Sequence, residues 1–167
     1  MAKRLLVICT LLCLDLFVFV LIYESNVEDS VKASTTFYEN VIALTFDDGP
    51  HGTYTKELLE GLKKREVVAS FFILGEHIEG NEELLLQMKE DGHLIGNHTF
   101  SHVKLDELND QTACDEVRRT CEAIESITGE PVEYIRPPYG AYNEKLECMI
   151  NLNKVLWTID PQDWNKT

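Results

Sequence analysis

Val41-Ile-Ala-Leu-Thr-Phe-Asp-Asp-Gly-Pro50 is the stretch from which the rest of the chain can be read. Val41 to Phe46 is a short apolar run with β-branched members, which predicts a buried strand. Asp47-Asp48-Gly49-Pro50 stops it with turn chemistry, and that turn is expected to let both carboxylates reach the rim of a sheet. The same grammar recurs downstream. Leu58, Leu59 and Leu62 predict a helix over 55–65, and 67–74 reads as a second strand ended by Gly75. A helix over 82–90 closes at Asp91-Gly92, and 93–97 reads as a third strand. The long helix 106–127 ends at Gly129 and Pro131, and a strand over 133–136 is broken by Pro137-Pro138. A helix over 143–151 and a strand over 154–159 follow. Five alternations of strand and helix imply an α/β fold with a parallel sheet and right-handed crossovers.

Every unusual polar cluster falls just after a strand, the end that carries the site in barrels and open α/β sheets alike. His98-Thr-Phe-Ser-His102 follows the third strand. An i, i+4 spacing on a helical turn would let both imidazoles ligate one metal. Together with Asp48 they make a three-ligand set with open positions, suited to a catalytic metal. Non-haem iron oxygenases use the same ligand types, but here the carboxylate precedes both histidines by about 50 residues. Arg136-Pro-Pro-Tyr-Gly140 follows the fourth strand, where a rigid loop could fix an Arg against a carboxylate. Asp160-Pro-Gln-Asp-Trp164 follows the fifth, with Trp164 as core or pocket wall.

Composition narrows the field of partners. A chain of 167 residues argues for one domain, and 44% hydrophobic residues with only 9 Gly exclude collagen and wholesale disorder. The net charge of −14 argues against nucleic acid and against a basic patch on anionic lipid.

The acidic excess lies beyond residue 22. Lys3 and Arg4 precede an apolar stretch from Leu5 to Ile22, interrupted by Thr10 and Asp15. As a helix it spans about 27 Å, enough for a hydrocarbon core. No small-x-small cleavage site follows, so 1–22 is expected to be an uncleaved signal anchor with the domain on the extracytoplasmic side of the cell membrane. Cleavage would make the protein secreted. Residues 23–40 read as a polar spacer and 41–167 as the domain. Cys114 and Cys121, seven residues apart on a helix, cannot bridge each other; they share a stripe with Val117 and Ile124 and are expected to be small core hydrophobes. No disulfide frame is evident.

Taken together, the four clusters resemble the polysaccharide deacetylases of the NodB-homology type, carbohydrate esterase family 4. Thr45-Phe-Asp-Asp-Gly-Pro50 is similar to that family's first motif, His98-Thr-Phe-Ser-His102 to its second, Arg136-Pro-Pro-Tyr139 to its third and Asp160-Pro-Gln-Asp-Trp164 to its fourth. The resemblance implies a distorted (β/α) barrel, here with about five strands. It implies that Asp48, His98 and His102 bind a divalent metal, usually zinc, and that Asp47 is the general base, held by Arg136. It implies that Tyr139 offers its backbone N–H to an oxyanion, with Tyr139 and Trp164 at the substrate. The activity implied is N-deacetylation of N-acetylglucosamine units in a cell-wall glycan such as peptidoglycan; chitin oligosaccharides and acetylated xylan stay open.

The family's fifth motif, of Leu-x-x-His type, supplies the acid for the leaving nitrogen, with Asp163 as its partner. No His follows His102 here. The expectation is therefore a fragment of a longer reading frame, a truncation completed by another chain, or a copy that binds metal or glycan without turnover.

Overall fold

The computed structural model describes residues 41–143, 146–149 and 151–165. The expected anchor over 1–22 and the spacer over 23–40 lie outside the described residues. Everything that follows concerns the unit beginning at Ala43.

Five parallel strands lie side by side in chain order: β1 Thr45–Gly49, β2 Ser70–Ile73, β3 Leu94–Asn97, β4 Tyr134–Ile135 and β5 Asn153–Lys154. Three helices connect them: α1 Tyr54–Lys63, α2 Glu82–Glu90 and α3 Asp110–Thr128. The expected α/β architecture is therefore present. Its cause is visible in the strand faces, because successive side chains point to opposite sides. Phe71 and Ile73 of β2 face the helices and join a core with Leu59 and Leu62 of α1, Leu85 and Met88 of α2 and Ile124 of α3. Phe72, between them, is equally buried but turns to the opposite face. Gly96 of β3 makes room for it: a Cβ there would come within 2.7 Å of the Phe72 ring.

The long helix α3 has clear start and stop signals. The Asn109 side chain accepts from the Thr112 N–H at 3.0 Å, and Gly129 ends the helix at φ 71. Ala113, Val117, Thr120, Ile124 and Thr128 form its buried stripe. Its start is later than the expected residue 106, because Leu105–Glu107 forms a separate 3-10 turn.

Three further boundaries differ from expectation. The first strand begins at Thr45, because β2, its ladder partner, begins at Ser70. Leu44 only accepts from the Ser70 N–H, and residues 41–44 are exposed. The helix expected over 143–151 is, among the described residues, a single 3-10 turn at Glu147–Met149 that buries Leu146 and Met149. The last strand is two residues long, since beyond Val155 the backbone leaves the β4 ladder.

The cysteine reading needs correction. Cys114 is not a small core hydrophobe: it forms a disulfide with Cys148, with Cα atoms 5.4 Å apart. The bridge fastens the 146–149 turn to α3. Cys121 remains a free, half-buried thiol, and burial pushes its pKa up.

Candidate active site

The site is built on the C-terminal ends of β1, β3 and β4. Between Phe46 and Gly49, β1 advances three residues while its partner β2 advances two, from Phe71 to Ile73. This is a bulge, and it places the two carboxylates. Asp48 takes φ 63, so it is re-aimed within the strand rather than by the Gly-Pro turn after it.

Asp47 meets Arg136. Nη1 donates to Asp47 Oδ1 at 2.8 Å and to Thr45 Oγ1 at 2.7 Å. Nε and Nη2 donate to the carbonyls of Val155 and Leu156, each at 3.2 Å. The guanidinium lies 4.3 Å from the Phe72 ring centre and is 3% exposed. One side chain, from the residue just after β4, thus ties β1 to the chain leaving β5.

Asp48 meets the two histidines. Its Oδ1 lies 3.3 Å from His98 Nε2 and 3.3 Å from His102 Nε2. The histidines reach it from an irregular loop, not the expected helical turn: Thr99 and His102 have φ 67 and φ 56. His98 is buried, with Nδ1 2.5 Å from the Arg136 carbonyl. A carbonyl only accepts, so Nδ1 carries the proton and Nε2 offers its lone pair toward Asp48. His77 Nδ1 donates in the same way to the Asp48 carbonyl at 2.9 Å.

These atoms fit a metal. Three ligand atoms from Asp48, His98 and His102 lie within 4.8 Å of one another. Two ligands held about 2.0–2.1 Å from a tetrahedral centre are about 3.3–3.4 Å apart, which is the oxygen-to-nitrogen spacing found here. The lone pairs of Asp48 and His98 that face each other at this distance suit a cation between them.

The family model for polysaccharide deacetylases matches residues 34–154. The chain belongs to the polysaccharide deacetylase family. This deacetylase-family chain is 40% identical over 126 residues to the peptidoglycan-N-acetylmuramic acid deacetylase PdaC of Bacillus subtilis, covering 75% of this chain and 27% of that one. It is 38% identical over 126 residues to a peptidoglycan-N-acetylglucosamine deacetylase of Bacillus cereus, covering 74% and 46%. It thus spans less than half the length of either relative. The solved structure of PdaC has a TM-score of 0.72 to it at 40% identity, over 75% of this chain and 62% of that one.

Within the deacetylase family's motifs, Asp47, Asp48, His98, His102 and Arg136 come together. Tyr139 joins them through its ring, edge-on to His102 at 4.8 Å, and its backbone sits at φ 59. Asp163 and Trp164 are exposed, and the Trp164 indole N–H is 3.4 Å from both Asp160 carboxylate oxygens. Neither takes part in the hydrogen bonds described around Asp47, Asp48 and Arg136. Sequence reasoning missed His77, Asn97 and Glu116. Asn97 is fully buried; its Oδ1 accepts from the Thr99 N–H at 2.7 Å and its amide donates to the Val117 carbonyl at 2.8 Å.

Proposed function

We propose that this chain is a metal-dependent N-deacetylase acting on N-acetylglucosamine residues of a cell-wall glycan, peptidoglycan in this reading, with release of acetate. The observation that carries it is the pairing of an Arg-clamped carboxylate, Asp47, with the converging Asp48, His98 and His102 next door. The names of the relatives support the choice of glycan.

A divalent metal, zinc in this reading, would be held by Asp48, His98 and His102 and would supply Lewis acidity toward the acetyl carbonyl and toward water. Asp47 takes the proton of the attacking water as general base, and the leaving nitrogen takes its proton from solvent water as the C–N bond breaks. Arg136 fixes that carboxylate in place through its Nη1 hydrogen bond. His98 is held in one tautomer by the Arg136 carbonyl. The backbone N–H of Tyr139 donates to the acetyl oxygen as it gains charge, and the Tyr139 ring forms part of the substrate wall. In this reading Asp163 and Trp164 also belong to the site, Trp164 at the substrate.

Acetate release from N-acetylglucosamine oligomers and from peptidoglycan, with zinc present, tests this. Asp47→Asn and His98→Ala should each abolish release. A chain that binds zinc and glycan but frees no acetate would favour the second reading, a non-catalytic metal- or glycan-binding remnant; the exposure of Asp163 is what supports it.

Residues 1–22 hold the domain outside the cell membrane in this proposal. The basic start and apolar span support it, and the Cys114–Cys148 disulfide suits an oxidising compartment. Protease added to intact cells should digest the domain; full protection would contradict the placement.

A further inference from the structure

The loop that carries both histidine ligands is strained. Thr99 and His102 sit at positive φ, a region that a β-branched or bulky residue holds only when its surroundings over-determine it. The surroundings can be named. The Thr99 carbonyl accepts from the Gly75 N–H and the Phe100 carbonyl from the Glu76 N–H, at 3.0 and 2.9 Å. The Thr99 N–H goes to Asn97. The next two N–H groups, of Phe100 and Ser101, both donate to one oxygen of Glu116, at 3.0 and 2.8 Å. The Ser101 hydroxyl bonds the same carboxylate at 3.0 and 3.1 Å. From the next turn of α3, the Arg119 guanidinium lies 3.5 Å from the centre of the Phe100 ring.

His98 has its own anchor in the Arg136 carbonyl. His102 has no hydrogen bond of that kind among the described residues: its contacts are Asp48, the tilted ring of His98 and the edge-on ring of Tyr139. The position of His102 is therefore set by the backbone before it, and the part nearest to it, the N–H groups of Phe100 and Ser101, is held by Glu116.

We propose that Glu116 is a positioning residue for the metal centre, its carboxylate holding the 100–101 backbone so that His102 converges on Asp48 and His98. The inference rests on the metal reading above and extends it to a residue 14 positions beyond the second histidine, on another element.

The test measures zinc affinity of the purified full chain by competition with a chromophoric chelator, for the wild type and for Glu116→Ala, Glu116→Asp and Glu116→Gln. Partners of this kind typically change metal affinity by about 10–100-fold. Glu116→Ala and Glu116→Asp should each lose about that much, the second because it keeps the charge but retracts the carboxylate. Glu116→Gln keeps an oxygen at the right reach and should stay within about fivefold of the wild type. Urea unfolding of the zinc-free chains separates this from a purely structural role, which would shift unfolding and leave affinity alone. Wild-type affinity in both Glu116→Ala and Glu116→Asp would overturn the proposal. So would a Gln variant as weak as Ala, since charge and not hydrogen bonding would then be responsible. His98→Ala is the control: if it too binds zinc like the wild type, the metal reading itself fails. Loss in His98→Ala beside wild-type affinity in Glu116→Ala removes the Glu116 inference alone.

Discussion

Replacing Arg136 with Met should separate the stability of the domain from its metal site. The substitution keeps an unbranched side chain of similar reach over Phe72 and removes four hydrogen bonds at once, to Thr45, Asp47, Val155 and Leu156. Exposed ion pairs contribute about 0–1 kcal/mol, whereas removing one partner of a buried pair costs about 3–5 kcal/mol. Arg136 is 3% exposed but Asp47 is 31% exposed, so water can reach the orphaned carboxylate. A loss of about 2–4 kcal/mol is expected, measured by urea unfolding of the zinc-free chain. Zinc affinity should change little, because His98 is held by the Arg136 backbone carbonyl and not by its side chain. Acetate release should fall by about 10²–10⁴-fold, the scale of a positioned general base. A stability loss under about 1 kcal/mol would refute the clamp, because Arg136 would then behave as a surface charge.

Two other perturbations follow from the fold. His93 is buried, accepts the Ala69 N–H at Nδ1 and leaves Nε2 without a partner; burial holds its pKa below the ordinary histidine value of 6.5. Its folded pKa is depressed, so stability is level above about pH 6.5 and falls below it as the unfolded chain takes up the proton first. Urea unfolding at several pH values should show this limb in the wild type and a flatter one in His93→Gln; equal slopes would contradict it. Reducing the Cys114–Cys148 bridge, which closes a separation of 34 residues, should cost about 3–4 kcal/mol on the chain-entropy estimate. Urea unfolding with and without reductant checks this, with Cys114→Ala expected to be insensitive to reductant.

The periodic elements were legible in the sequence because local pattern determines them. The helix over 82–90 and the strands around 71 and 95 follow from apolar spacing and from Gly75 and Gly92 as stops. The ligand set was legible because chemistry-bearing residues cluster after strands. What escaped depends on contacts distant in the sequence. The start of β1 is set by where Ser70 lies, not by the apolar run from Val41. The Cys114–Cys148 pairing requires knowing that the 146–149 turn lies on α3. His98 and His102 share the spacing of a helical turn, yet they converge through an irregular loop held by Glu116 and Asn97, two residues with no pattern of their own. Asp48 owes its direction to a one-residue bulge that composition does not announce.

Metal content tests the central claim most directly. The full chain, purified and loaded with zinc, should retain one equivalent per molecule by elemental mass spectrometry after removal of free metal. Asp48→Ala, His98→Ala and His102→Ala should each retain far less, while Glu122→Ala, whose carboxylate pairs with Arg118 on the exposed side of α3, should match the wild type. Unchanged zinc in all three ligand variants would contradict the site, and with it the reaction assigned to this chain.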